Sequence, residues 1–404
     1  MDIKKLLFFL SLLSCLSVSC TSDEAENNTK TTNFKYIITG GGIRIIRIAD
    51  VNEVIIPSTI EVDGITYPVT SIGSGAASNL EFLKVLHLPP TLTEIASNAF
   101  EISYIEKVYI EDLSAWCNID FQYDYWSGTS GTHYYSSASP FSVNTVLYIN
   151  DEPVETLVIP EDVERVNQYA FQGLEFKCLK LGKNVKEIGM GAFQYSKIED
   201  LDMGPNLEVI KNNAFSDCKR LKKIKLSPNL KTLEWDSFVD CPNVSEIHIS
   251  SLENFCYLNY KEYYAWLPFG NPYSLYINGK EPSEIIIPYL KEELGNGCLS
   301  GASNISSIEC EEGITSIGMF SFTYCQNLEK LVLPSTINQV PTDFVYCFNL
   351  KSIEVKSLTP PRMYGSYLPY DYLFDNCVLY VPEESIQKYK VTEGWKKFKT
   401  VLPL

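Results

Sequence analysis

Twelve cysteines and three histidines are the groups here best suited to covalent or metal chemistry, and their spacing decides what is open to them. Cys218 and Cys241 lie 23 residues apart, and Cys325 and Cys347 lie 22 apart. Each follows a phenylalanine by three positions, at Phe215, Phe238, Phe322 and Phe344. Cys117 and Cys256 share a second recurring slot. A cysteine that recurs in register behaves as a small buried apolar residue. Neighbouring turns of a repeat could still bring two thiols within bridging reach, so disulfides stay open. There is no C-x-x-C, which removes the usual zinc spacing. His87 and His248 each sit between two apolar residues, so strand alternation points them outward, and His133 lies in a long insertion. No H-E-x-x-H or G-x-S-x-G occurs, and the acidic residues are scattered rather than paired. The residues therefore argue against an enzyme, and they call for no cofactor and no metal.

Cys20 has a different context. Lys4 and Lys5 precede an apolar run, Leu6 to Val18, that is shorter than the roughly 20 residues a membrane span needs. Ser17-Val18-Ser19-Cys20 resembles a lipobox, which implies lipidation of Cys20 after removal of residues 1–19. Leu12-Leu13-Ser14-Cys15 is a rival with the more usual leucine at its first position. Cys20 is preferred because Thr21-Ser22-Asp23-Glu24-Ala25-Glu26 follows it. That acidic patch resembles the export signal of surface lipoproteins in bacteria of the Bacteroides type. An ordinary signal peptide on a secreted protein is the plainer alternative. Residues 20–33 read as a flexible polar tether.

The third group is aromatic. Two long insertions, 112–155 and 251–283, begin alike: Leu113-Ser114-Ala115-Trp116-Cys117 matches Leu252-Glu253-Asn254-Phe255-Cys256. They also end alike, with Tyr148-Ile149-Asn150-Asp151 against Tyr276-Ile277-Asn278-Gly279, where Asn-Asp and Asn-Gly mark tight hairpin turns. Their middles differ in length and carry Tyr123, Tyr125, Trp126, Tyr134 and Tyr135 in the first, and Tyr263, Tyr264 and Trp266 in the second. Tyrosine and tryptophan supply rigid contact area with a polar tip, suited to stacking on a sugar or anchoring a protein. These eight are the candidate ligand-binding residues. The bland alternative is that they pack on the flank of the molecule and hold the insertions in place.

What positions all of these is a repeat. Leu157, Leu179, Leu201 and Ile224 open successive lines with steps of 22, 22 and 23 residues, and Phe171, Phe193, Phe215 and Phe238 keep the same steps. Each line runs apolar-x-apolar, Pro or Gly, V/L-x-x-I/L/V, then Ala/Ser-Phe. About five apolar side chains per line, at about 1.5–3 kcal/mol each, cannot offset an ordering cost of about 1–2 kcal/mol per residue. Stacked lines must therefore share one core, which makes a period of this size a solenoid. Read across the repeats, the outward strand slot is His87, Tyr109, Val158, Lys180, Asp202, Lys225, His248, Ile286, Glu309, Val332 and Glu354. Its mixture of sign and size suits a solvated face or a binding face.

Strands ending in Ile-Pro, the T-x-I-G element at Thr70-Ser71-Ile72-Gly73 and Thr315-Ser316-Ile317-Gly318, and Ala214-Phe215-x-x-Cys218 resemble the BspA-type leucine-rich repeats of bacterial surface proteins. The asparagine ladder of the common leucine-rich repeat is not expected. The resemblance implies a β-rich solenoid of period 22–23 with short strands and irregular or short helical turns. An N-terminal hairpin cap and first repeat would occupy 34–80, the solenoid 81–358, and a strand–helix cap 359–404. It also implies a non-enzymatic, monomeric, adhesive surface lipoprotein that binds a protein; a glycan-binding lipoprotein serving nutrient uptake is the alternative. Net charge is −17, and about −18 once Asp2, Lys4 and Lys5 are removed, which disfavours nucleic acid and leaves the lipid as the only membrane attachment.

Overall fold

The computed structural model describes residues 33–404 except 102, 128–132, 137, 143, 235, 261–268, 270–271, 343–346 and 366–370. The chain winds as a β-solenoid of about 14 turns. Each central turn carries two very short strands. The first face is built from Thr156–Val158, Cys178–Lys180, Asp200–Asp202, Lys223–Lys225 and Glu246–Ile249, all parallel. The second face is built from Arg165–Val166, Glu187–Ile188, Val209–Ile210 and Thr232–Leu233. Leu157, Leu179, Leu201, Ile224 and Ile247 align along one buried column, and Val166, Ile188, Ile210 and Leu233 along another. Each strand is too short to hold its own shape, so the adjacent turn supplies its hydrogen bonds.

A third column closes the core. Phe171, Phe193, Phe215 and Phe238 stack with ring centroids 5.3, 5.2 and 5.1 Å apart and planes within 9° of parallel. That spacing is close to the roughly 4.8 Å between hydrogen-bonded strands, so the rings share the backbone's pitch. The bends around each ring need positive φ two residues before it and two after. Tyr169, Gly191, Asn213 and Asp236 fill the first slot; Gly173, Tyr195, Asp217 and Asp240 fill the second. Asn, Asp and Gly tolerate this conformation, while Tyr169 and Tyr195 hold it at a cost.

The recurring cysteines line the same turns as free thiols; all ten described cysteines are unbridged. Cys218 donates to the Phe193 carbonyl at 3.3 Å, Cys241 to Phe215 at 3.1 Å, Cys325 to Leu299 at 3.2 Å and Cys347 to Phe322 at 2.8 Å. Each thiol thus satisfies a buried carbonyl one turn back. Burial raises the pKa of the Cys117, Cys218, Cys298 and Cys310 thiols and pushes that of Cys377 up to about 12, so the reactive thiolate is suppressed.

The two matched insertions break the strand face in the same way. Helix α1, Leu113–Cys117, and helix α2, Leu252–Cys256, begin the two joints. Each joint ends at a strand, Val146–Ile149 or Ser274–Ile277, followed by a tight reversal. Asn150 and Asp151 (φ 50° and 64°) turn the first, and Asn278 and Gly279 (φ 49° and 74°) the second, so both central residues take the left-handed shape of a type I′ turn. Ile149 then pairs with Glu152, and Ile277 with Lys280, instead of passing the ladder to the next turn. The core continues regardless. The Asn167 amide donates to the Cys117 carbonyl and the Gly295 amide to Cys256, both at 3.0 Å. Trp116 is buried and its indole N–H reaches the Ala170 carbonyl at 2.9 Å.

At the N-terminal end the hairpin Phe34–Thr39 with Gly42–Ile48 covers the first turn. A Cβ on Gly42 would lie 2.5 Å from the Pro68 carbonyl oxygen, so only glycine allows this approach. The C-terminal end adds α3, Asp371–Asn376, strand Val378–Val381, α4, Ile386–Val391, and the final strand Thr400–Pro403. Trp395 is fully buried and donates to the Pro361 carbonyl at 2.7 Å. One departure from expectation concerns asparagine. Asn184, Asn206, Asn229 and Asn254 each donate a side-chain amide to a carbonyl one turn back, so a short exposed asparagine ladder does run along one bend.

Phe215→Ala should destabilise the solenoid by about 3–5 kcal/mol in chemical denaturation, because the void lies between two stacked rings that cannot collapse. Strong reductant should leave the thermal midpoint unchanged; a large drop would reveal bridges among these thiols.

Candidate functional site

The outward residues of the strand face stand in register over the length of the solenoid. Ile55, His87, Tyr109 and Tyr148 form the first run, and Val158, Lys180, Asp202, Lys225, His248 and Tyr276 the second. Ile286, Glu309, Val332, Glu354, Tyr380 and Leu402 form the third. Tyr148 and Tyr276, read from sequence as ends of the insertions, are members of this face. The signal was available: Leu147-Tyr148-Ile149 has the same apolar-x-apolar form as Leu86-His87-Leu88.

Their placement makes aromatic ladders. His87 stacks on Tyr109 at 4.3 Å and Tyr109 on Tyr148 at 4.5 Å; His248 stacks on Tyr276 at 4.5 Å. The side chains stand up from the sheet and spend their ring faces on each other, leaving edges and polar tips for solvent. His87 meets the Glu53 carboxylate at 3.0 Å and His248 meets Glu246 at 2.9 Å. The Lys107 ammonium lies 5.6 Å over the Tyr148 ring. Ile55 continues the first ladder as an exposed apolar end, 62 % accessible.

The central run is charged and self-compensating. Lys225 pairs with Asp202 at 3.0 Å, and ion pairs of the same one-turn offset join Lys177 to Glu155, Lys222 to Glu199 and Lys231 to Glu208. Such exposed pairs contribute about 0–1 kcal/mol each. Val332 departs from its expected outward exposure: it is only 4 % accessible. The Lys356–Glu309 pair at 2.8 Å joins the strands on either side of it, and Lys330 reaches Glu354 at 2.7 Å, so two lysine stems roof the valine.

Of the aromatic candidates in the first insertion, Tyr123 is partly exposed, with its ring 5.6 Å from that of buried Tyr169 on the solenoid flank. The backbone of Asp124–Ser127 pairs antiparallel with His133–Ser136, which sets Tyr125 opposite Tyr135 and Trp126 opposite Tyr134. Tyr263, Tyr264 and Trp266 lie outside the described residues, as does Cys20. Beneath α1 and α2 sit two hollows of about 10 and 20 Å³, room for about one water each. Among the described residues no group of His, Cys, Asp and Glu could hold a metal ion, and no helix is long and apolar enough to cross a membrane. The arrangement is equipped for non-covalent contact.

A double-mutant cycle on His87→Ala and Tyr109→Ala should return a coupling of about 0.5–1 kcal/mol in chemical denaturation, the usual worth of a stacked cross-strand pair. A coupling near zero would mean the rings are neighbours without mutual support.

Several solved structures are similar to the chain over most of its length. A leucine-rich repeat protein from Bacteroides ovatus is 16 % identical, covering 93 % of this chain and all of that one, with a TM-score of 0.46. A leucine-rich cell surface protein from Faecalibacterium prausnitzii is 18 % identical over 81 % of this chain and 94 % of its own, with a TM-score of 0.36. The pneumococcal vaccine antigen PcpA is 15 % identical over 93 % and 98 %, with a TM-score of 0.39. No curated protein matches the chain. The model of the BspA-type leucine-rich repeat region matches in six copies across residues 51–123, 142–263 and 275–368, and with that coverage the chain belongs to the BspA-type leucine-rich repeat family.

Proposed function

We propose that this protein is a non-enzymatic, monomeric cell-surface lipoprotein whose solenoid binds a protein and so mediates adhesion to host or neighbouring cells. The observation that carries the reading is the division of labour along the solenoid. The stacked turns keep a fixed length, while the two insertions keep matched ends and vary in between, where tyrosine and tryptophan gather to meet a partner. On this reading residues 1–19 are removed, Cys20 carries the lipid, residues 20–33 act as tether, and the acidic patch directs the protein to the outer face of the outer membrane. Cys20→Ala should release the protein from the membrane fraction. Neutralising Asp23, Glu24 and Glu26 should leave it anchored but protected from protease on intact cells; continued cleavage there would overturn the export step.

Glycan binding for nutrient uptake is the second reading. It is favoured by the paired aromatics of the first insertion, Tyr125 opposite Tyr135 and Trp126 opposite Tyr134. A glycan array beside a panel of host matrix proteins separates the two. The ligand contacts are assigned to the insertions: Trp126→Ala and Trp266→Ala should each weaken binding about thirtyfold, the effect of losing about 2 kcal/mol at an aromatic hot spot. Lys180→Ala with Lys225→Ala is the strand-face control. With thermal midpoints unchanged, loss in the lysine variant alone moves the site to the strand face.

A further inference from the structure

The C-terminal cap carries a half-open cavity of about 430 Å³ that neither the stacked core nor the strand face uses. This is inside the roughly 300–1,000 Å³ range of small-molecule sites. Strand Arg362–Tyr364 forms one side; it pairs with Gln339–Pro341 on the second face. The segment after α4 folds back on the other side. There Gly394, at φ 84°, lets the backbone meet Met363: a Cβ would lie 2.5 Å from its sulfur. The Trp395–Pro361 hydrogen bond ties the two walls together at 2.7 Å. The lining is therefore set by buried anchors rather than by an exposed loop.

The walls combine Pro361, Met363 and Phe374 with two cations, Arg362 and Lys397. Among the described residues neither cation has an ion-pair partner; the Lys397 ammonium lies 5.4 Å over the Phe374 ring. Glu393, the carboxylate in the lining, is held by Lys396, whose hydrogen bond and charge keep it below the usual carboxylate range. The setting is unusual for this chain. Overall charge is −17, yet residues 386–404 carry five lysines, Lys388, Lys390, Lys396, Lys397 and Lys399, against Glu393, a net +4.

We propose that this cavity binds a small organic acid, its carboxylate held between Arg362 and Lys397 and its apolar or ring body against Pro361, Met363 and Phe374. The guanidinium fork matches a carboxylate in a bidentate pair. A bare inorganic anion would satisfy the cations but leave the apolar walls uncovered, and a neutral ligand would do the reverse. The site stands apart from the adhesive reading, and either can fail alone.

The test titrates the full chain with benzoate, followed by ligand-observed NMR and calorimetry, beside benzamide and inorganic sulfate. Saturable benzoate binding is expected, at least tenfold tighter than either comparison compound. Arg362→Gln and Lys397→Gln leave a shorter polar side chain and lose the charge; each should weaken benzoate at least tenfold with an unchanged thermal midpoint. Lys222→Ala, exposed on a distant turn, should leave binding intact. Absence of saturable benzoate binding, equal binding of benzamide, or full retention in both glutamine variants would overturn the assignment.

Discussion

Everything in this molecule depends on the fixed distance between hydrogen-bonded parallel strands. A strand of two or three residues has almost no stability alone, so each turn exists only because its neighbour lies about 4.8 Å away in the same register. That pitch propagates inward. The phenylalanine rings stack at 5.1–5.3 Å because the backbone places them there. The thiols of Cys218 and Cys241 reach the carbonyls of the preceding turn for the same reason. It propagates outward too, into the lysine–glutamate pairs of one-turn offset and the asparagine ladder. One constraint thus explains why central repeats hold their length within one residue.

The joints show what happens when the constraint is relaxed locally. At Asn150-Asp151 and Asn278-Gly279 the strand ladder turns back on itself and the first face is interrupted. The second-face ladder also restarts at each joint, and the core continues through the Asn167–Cys117 and Gly295–Cys256 hydrogen bonds. Length can then vary between the fixed ends without disturbing the turns on either side. A solenoid gains room for insertions in this way, while each joint keeps a buried anchor, Trp116 in the first and Phe255 in the second.

The strand face divides by chemistry rather than by position along the chain. Its first run is aromatic and ends on exposed Ile55; its central run is a set of compensated charges. Its third run is partly closed by lysine stems over Val332. A mean charge or a list of outward residues conceals these differences, because each arises between neighbours on different turns. Basic character gathers in residues 386–404, against the overall acidity of the chain.

Much of the fold was legible in the sequence, because a period of 22–23 with phenylalanine, leucine and cysteine in fixed slots admits one stacked arrangement. Paired strands, buried columns, hairpin turns at Asn-Asp and Asn-Gly, and the burial of slot cysteines all follow from local pattern repeated in register. The candidate sites were legible only in part. The sequence marked the insertions by their aromatic content, and it held the apolar-Tyr-apolar signal at Tyr148 and Tyr276 without showing what those rings would meet. Stacking of His87, Tyr109 and Tyr148, the roof over Val332, and the cavity joining Arg362 to Lys397 were decided by tertiary structure alone. Each depends on residues from separate turns or from opposite sides of a cap, and their distances are set by packing, which no spacing along the chain encodes.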